Sequence, residues 1–150
     1  MHAECCAAEC KGAAACEREN RSLACRAFPF FPYITREGEI VGLAYYWVFE
    51  DRCWVISNLD IVTADFVGEC LAAYETIFAE DKLEYETNKD LSADMRRVFT
   101  RWDRTIPVIG RDGGRLVVEP RTHVLRPALP GEFLRHGPYR DETPEADAAD

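Results

Sequence analysis

Ten nearly uninterrupted apolar positions run from Ile40 to Phe49, and after Glu50-Asp51-Arg52 a second apolar stretch runs from Cys53 to Val62. Both are rich in aromatic and β-branched residues. A run of this kind describes a strand covered on both faces, not one with a wet side. The pair therefore reads as two long, adjacent strands at the centre of a fold. Along the second, Val55, Ser57, Leu59 and Ile61 fall on one face and Trp54, Ile56, Asn58, Asp60 and Val62 on the other. Polar Asn58 and Asp60 then lie side by side in an otherwise apolar strand.

The rest of the chain arranges itself around that centre. With 150 residues, 47% of them hydrophobic, the chain can bury one core and is too short for two. Residues 1–26 form an Ala- and Cys-rich leader, 27–126 a single α+β domain, and 127–150 a proline-containing acidic tail with no core-forming pattern. Tyr33 to Thr35 is a short strand before the turn at Arg36-Glu37-Gly38-Glu39. Thr63 or Asp65 caps a helix whose buried stripe is Val67, Cys70, Leu71, Tyr74, Ile77 and Phe78. Leu83 to Thr87 is a short strand. Asp90 or Ser92 caps a second helix with the stripe Met95, Val98, Phe99 and Trp102 and an outer face of Arg96, Arg97, Arg101 and Arg104. Thr105 to Ile109 and Arg115 to Glu119 flank Asp112-Gly113-Gly114, a hairpin turn because glycine accepts positive φ. All three tryptophans fall on core-facing positions of this scheme.

Charge narrows the classes of partner. The formal net charge of -9 argues against general nucleic-acid binding, which draws on clustered Lys and Arg. Its distribution is uneven. From Glu50 to Asp90 there are eleven acidic residues against Arg52, Lys82 and Lys89, while from Arg96 to Arg126 there are eight arginines against Asp103, Asp112 and Glu119. Either a basic face sits on an acidic body, or these arginines are solvated faces balancing the acidic half. No window is long and apolar enough to span a bilayer. Five of the seven cysteines (Cys5, Cys6, Cys10, Cys16, Cys25) lie in the leader without the paired spacing of a zinc site and without a signal-peptide pattern. Thiols of that kind place the chain in the reducing cytoplasm.

The order strand, strand, strand, helix, strand, helix, hairpin resembles the latter two-thirds of the GNAT superfamily of acyl-CoA-dependent N-acyltransferases, over residues 31–119. Glu39-Ile40-Val41-Gly42-Leu43-Ala44 looks like that family's second-to-third strand junction. Asn58-Leu59-Asp60-Ile61-Val62 looks like its fourth strand, and Leu83 to Asn88 like its fifth. The resemblance implies a mixed, mainly antiparallel sheet with two main helices (β-β-β-α-β-α-β-β) and transfer of an acetyl group from acetyl-CoA to an amine acceptor. It also implies roles. Backbone groups at Leu59, Ile61 and Val62 would pair with the pantetheine arm, and amides at Phe66, Val67 and Gly68 would hold the pyrophosphate at a helix start. Asn88 would contact the cofactor, and Asp60 would be the catalytic base. Gly68 is the one position of the pyrophosphate loop that matches, Asp65 and Glu69 add carboxylates there, and Phe99 stands at the family's tyrosine acid, leaving Tyr74 or Tyr85 to substitute.

Other constellations are sparse. No P-loop or nucleophile elbow is present, and His123 is the one histidine in the folded span, within range of a dyad with Cys53 or Cys70 only if the fold brings them together. A competing expectation is therefore a non-catalytic protein-interaction domain that binds through its acidic middle or its arginine-rich helix and hairpin. A third is a metal or redox module built on the leader.

Overall fold

Phe30–Ile34 (β1) and Ile40–Tyr45 (β2) form an antiparallel hairpin in the computed structural model, which describes residues 9–133. The turn closes through Thr35, whose N–H donates to the Glu39 carbonyl at 2.8 Å, and through Gly38 at φ +96°, a backbone angle that favours glycine. A short helix, Leu23–Ala27 (α1), leads into β1, its first turn capped by the Ser22 hydroxyl.

The chain leaves β2 sooner than the apolar run predicts. After Tyr45 it coils through a 3-10 turn at Trp47–Phe49, a helical turn at Trp54–Ser57 (α2) and another 3-10 turn at Leu59–Ile61. The expected strand from Cys53 to Val62 is thus helical turns. Short apolar runs carry no periodicity that separates strand from helix. In the helical turns the side chains of Ser57 and Asn58 bond back to the carbonyls of Cys53 (3.4 Å) and Trp54 (2.8 Å). Trp54, expected in the core, is exposed, and so is Trp102.

Two long helices follow, Ala64–Glu80 (α3) and Lys82–Trp102 (α4). Thr63 caps α3 by accepting from the Phe66 N–H at 3.2 Å, and of the expected stripe Val67, Cys70, Leu71, Tyr74 and Phe78 are buried while Ile77 is half-buried. The second helix starts earlier than expected, at Asp81, whose carboxylate accepts from the N–H groups of Leu83 and Glu84. Leu83 to Thr87 is therefore helix, not strand. The alternation Leu83, Tyr85, Thr87 mimics a strand, but Glu84 and Glu86 between those residues, with Lys82 and Lys89 flanking them, favour helix. Ser92 sits within this helix and does not begin it.

Ile106–Gly110 (β3), Arg115–Val118 (β4) and Leu125–Pro127 (β5) complete the sheet. Its five strands lie in chain order β1-β2-β3-β4-β5, every neighbouring pair antiparallel, with α3 and α4 inserted between β2 and β3. The fold is α+β. The β3–β4 turn is as read, with Gly113 at φ +81° and the Asp112 carboxylate accepting from the Gly114 N–H. β2 and β3 meet at Gly42 and Gly110, where a Cβ on Gly42 would lie 2.2 Å from the Ile109 carbonyl oxygen. Phe31, Tyr33, Ile34, Leu43, Leu71, Met95, Phe99, Ile106 and Val108 are fully buried between the sheet and the helices. Each large apolar side chain buried this way is worth about 1.5–3 kcal/mol. No described helix is long and apolar enough to cross a membrane.

Candidate functional site: an arginine groove

The residues singled out for acetyl-CoA fall in three places. Ile61, Val62 and Phe66 line one apolar cavity of about 330 Å³ at the start of α3, together with Arg26, Phe28 and Val55. Leu59 and Asp60 sit on the 3-10 turn, where the N–H groups of Ile61 and Val62 are used locally by the carbonyls of Asn58 and Leu59. The Asp60 carboxylate is ion-paired to Arg115. Val67 is core, and Gly68 lies in the first turns of α3 with open space where a side chain would be. Asn88 is buried within α4, its amide donating to the Glu84 carbonyl at 2.9 Å. The substitute acids are engaged as well. The Tyr85 hydroxyl donates to the Gly38 carbonyl, and burial above all pushes the Tyr74 phenol up to about 12.

A larger and chemically different site lies at the other half of α4. A trough of about 580 Å³ is lined on one side by Ala93, Arg96, Arg97, Thr100 and Arg101, which recur on one face of the helix. Arg36 enters from the β1–β2 turn, and Pro120 and His123 from the β4–β5 connection. That connection is held by the His123 N–H donating to the Glu119 carbonyl at 2.7 Å, with His123 itself at φ +64°. Four arginines and a histidine converge, and among the described residues no carboxylate lines the trough. On a chain of net charge -9 this is a marked segregation of charge.

Arg96 is the centre of the site. Its side chain is 7% exposed, and its Nη1 donates to the Tyr33 hydroxyl at 2.9 Å and to the Ile34 carbonyl at 3.1 Å. The guanidinium also lies 5.6 Å from the centroid of the Tyr33 ring. One turn earlier, Ser92 accepts from the Ile34 N–H at 3.0 Å. Ser92 and Arg96 on α4 thus satisfy the last residue of β1, an edge strand of the sheet, while Asn88 on the same buried stripe bonds within the helix. Burial raises the Tyr33 phenol, and the bond from Arg96 partly offsets it.

Among the described residues neither Arg96, Arg36 nor Arg101 makes an ion pair, whereas Arg97 pairs with Asp94. Glu37 acts on Tyr33 from a distance but forms no ion pair with Arg96. A buried cation without a carboxylate beside it carries a desolvation cost that two neutral hydrogen bonds and the Tyr33 ring offset only in part. His123 adds a second unmet demand, since its Nδ1 is the one buried side-chain polar atom without a hydrogen-bond partner among the described residues. Neither Cys53 nor Cys70 lines the trough, and burial raises the Cys70 thiol, so the dyad expectation has no geometry behind it.

No protein family, no curated protein and no solved structure matches this chain. In the leader, Cys10, Cys16 and Cys25 line a third cavity around Arg21, whose Nε donates to the Cys16 sulfur at 3.2 Å. The described residues hold no group of three or more His, Cys, Asp or Glu placed to bind a metal, and His2, Cys5 and Cys6 lie outside them. The arginine run was visible in the sequence as charge asymmetry. Arg36 and His123 were not, because only the packing of the two turns against α4 brings them to it.

Proposed function

We propose that this protein is a non-catalytic interaction domain that holds an acidic segment of a partner protein in the arginine groove. The observation that carries this reading is Arg96, a buried guanidinium facing a trough whose described walls hold no carboxylate. An acidic segment supplies the missing counter-charges, and Arg36 and Arg101 widen the contact along its length. The acidic body disfavours a long polyanion, which would meet repulsion beyond the groove, whereas a short segment touches the groove alone. Free thiols at Cys10, Cys16, Cys25, Cys53 and Cys70 suit a reducing, cytoplasmic setting.

Fluorescence polarisation with a labelled glutamate-rich peptide tests the reading. Saturable binding is expected, weakening as salt is raised and weakening several-fold in Arg101→Gln, an exposed position. Binding that ignores Arg101→Gln, or none, overturns it. Preference for a duplex oligonucleotide over the peptide replaces it with a nucleic-acid reading.

The acetyltransferase reading keeps one supporting observation, the cavity where Ile61, Val62 and Phe66 meet Arg26 at the start of α3. Calorimetric titration with acetyl-CoA checks it. Saturable binding lost in Arg26→Gln supports a cofactor site there, and silence at millimolar cofactor removes it.

A further inference from the structure

Resting on the groove reading above, we infer that the Arg96 end of the groove takes a phosphomonoester carried on a side chain of the partner. Three features favour a phosphoryl group over a carboxylate at that place. First, the Arg96 guanidinium is held in a fixed plane by Tyr33 and Ile34, both through Nη1, while its Nε and Nη2 have no acceptor among the described residues. Two donors in a rigid fork suit two oxygens of one tetrahedral group.

Second, the charges match. Arg36, Arg96 and Arg101 bring three guanidinium groups with no ion pair among the described residues, the first from the β1–β2 turn and the other two from α4. One carboxylate returns a single negative charge, whereas a phosphomonoester brings about -1.5 to -2 near neutral pH with three acceptor oxygens. Third, His123 lines the same trough, and its buried Nδ1 has no hydrogen-bond partner among the described residues. The source is a phosphorylated protein side chain and not free phosphate. At about 580 Å³ the trough is far larger than one phosphate, and exposed Arg97 and Arg101 continue it along α4, where flanking residues of a peptide would lie.

The test uses the full chain and labelled peptides of one glutamate-flanked sequence carrying phosphoserine, phosphotyrosine, glutamate or serine at the central position, with inorganic phosphate as competitor. A phosphorylated form is expected to bind about tenfold tighter than the glutamate form. That preference is expected to collapse in Arg96→Lys, which keeps the charge but loses the fork, while Arg101→Gln weakens all acidic peptides alike. Since Arg96 also ties down β1, circular dichroism and melting must show Arg96→Lys folded; should it unfold, the exposed Arg36→Gln takes its place, with a reduced preference expected. Equal affinity for the phosphorylated and glutamate peptides overturns the inference and leaves the acidic-segment reading standing. Failure of every peptide overturns both. Inorganic phosphate competing at the phosphopeptide's own concentration reassigns the site to free phosphate and overturns the proposed partner.

Discussion

Glu50 joins three parts of the chain through one carboxylate. The Tyr45 hydroxyl at the end of β2 donates to its Oε1 at 2.7 Å, and Arg104, just past α4, donates through Nη1 and Nη2 at 3.0 Å each. Burial first and Glu50 second push the Tyr45 phenol well up, so the hydroxyl stays protonated as a donor. Glu50→Gln keeps the shape and removes the charge from a pair whose side chains are 13% and 27% exposed. A loss of about 2 kcal/mol in urea denaturation is expected. Glu132 makes a comparable clasp at the surface. The Arg126 guanidinium first, and the Leu129 N–H second, hold its carboxyl below the usual carboxylate range. A carboxyl lowered on folding adds stability above its ordinary range and withdraws it as pH falls through the lowered value. Glu132→Gln should therefore melt earlier than the parent at neutral pH, and the two melting curves should converge in strong acid. A gap that persists in acid would assign the effect to packing instead.

At the scale of elements, the joins between segments carry the structure. Asp81 ends α3 and caps α4 in one residue, its carboxylate accepting from Leu83 and Glu84. Asp81→Ala should cost about 1 kcal/mol in thermal or chemical denaturation, with little change in helix content if the core holds. Glycine at position 42 is required by the sheet itself, where β2 and β3 approach too closely for a side chain. Gly42→Ala must push back the Ile109 backbone, and a loss of about 3 kcal/mol is expected on chemical denaturation. A neutral outcome at Gly42 would mean that β2 and β3 are not in register as described. The polar stripe of Asn88, Ser92 and Arg96 is a third join, spending buried polar side chains within α4 and on the edge of β1. The same stripe explains why the hydrophobic pattern of α4 starts too late when read alone.

For the whole molecule, salt should act with opposite signs on stability and binding. A net charge of -9 repels itself in the folded state, so moderate salt is expected to raise the melting temperature. The groove, concentrating positive charge, should lose affinity for acidic peptides over the same range. Parallel melting and polarisation series in sodium chloride check both signs. If binding is indifferent to salt, the contact is apolar, and the cavity at Phe28, Ile61 and Phe66 becomes the better candidate.

Features written in local chemistry were legible from the sequence. A cap at Thr63 or Asp65, all of the stripe from Val67 to Phe78 but Ile77, the Asp112-Gly113-Gly114 turn and the start of β2 at Ile40 rest on neighbours within a few positions, and the structure has them there, with Thr63 as the cap. The concentration of arginines from Arg96 onward was legible for the same reason. Tertiary structure decided the rest. Whether Cys53 to Val62 extended or coiled depended on which strand it had to pair with, and β3 arrives only after two helices to take the place beside β2. The groove depended on contacts across more than sixty positions, as between Tyr33 and Arg96. Such contacts leave no periodicity in the chain, because what selects them is the burial of α4 against the edge of a sheet that no local pattern describes.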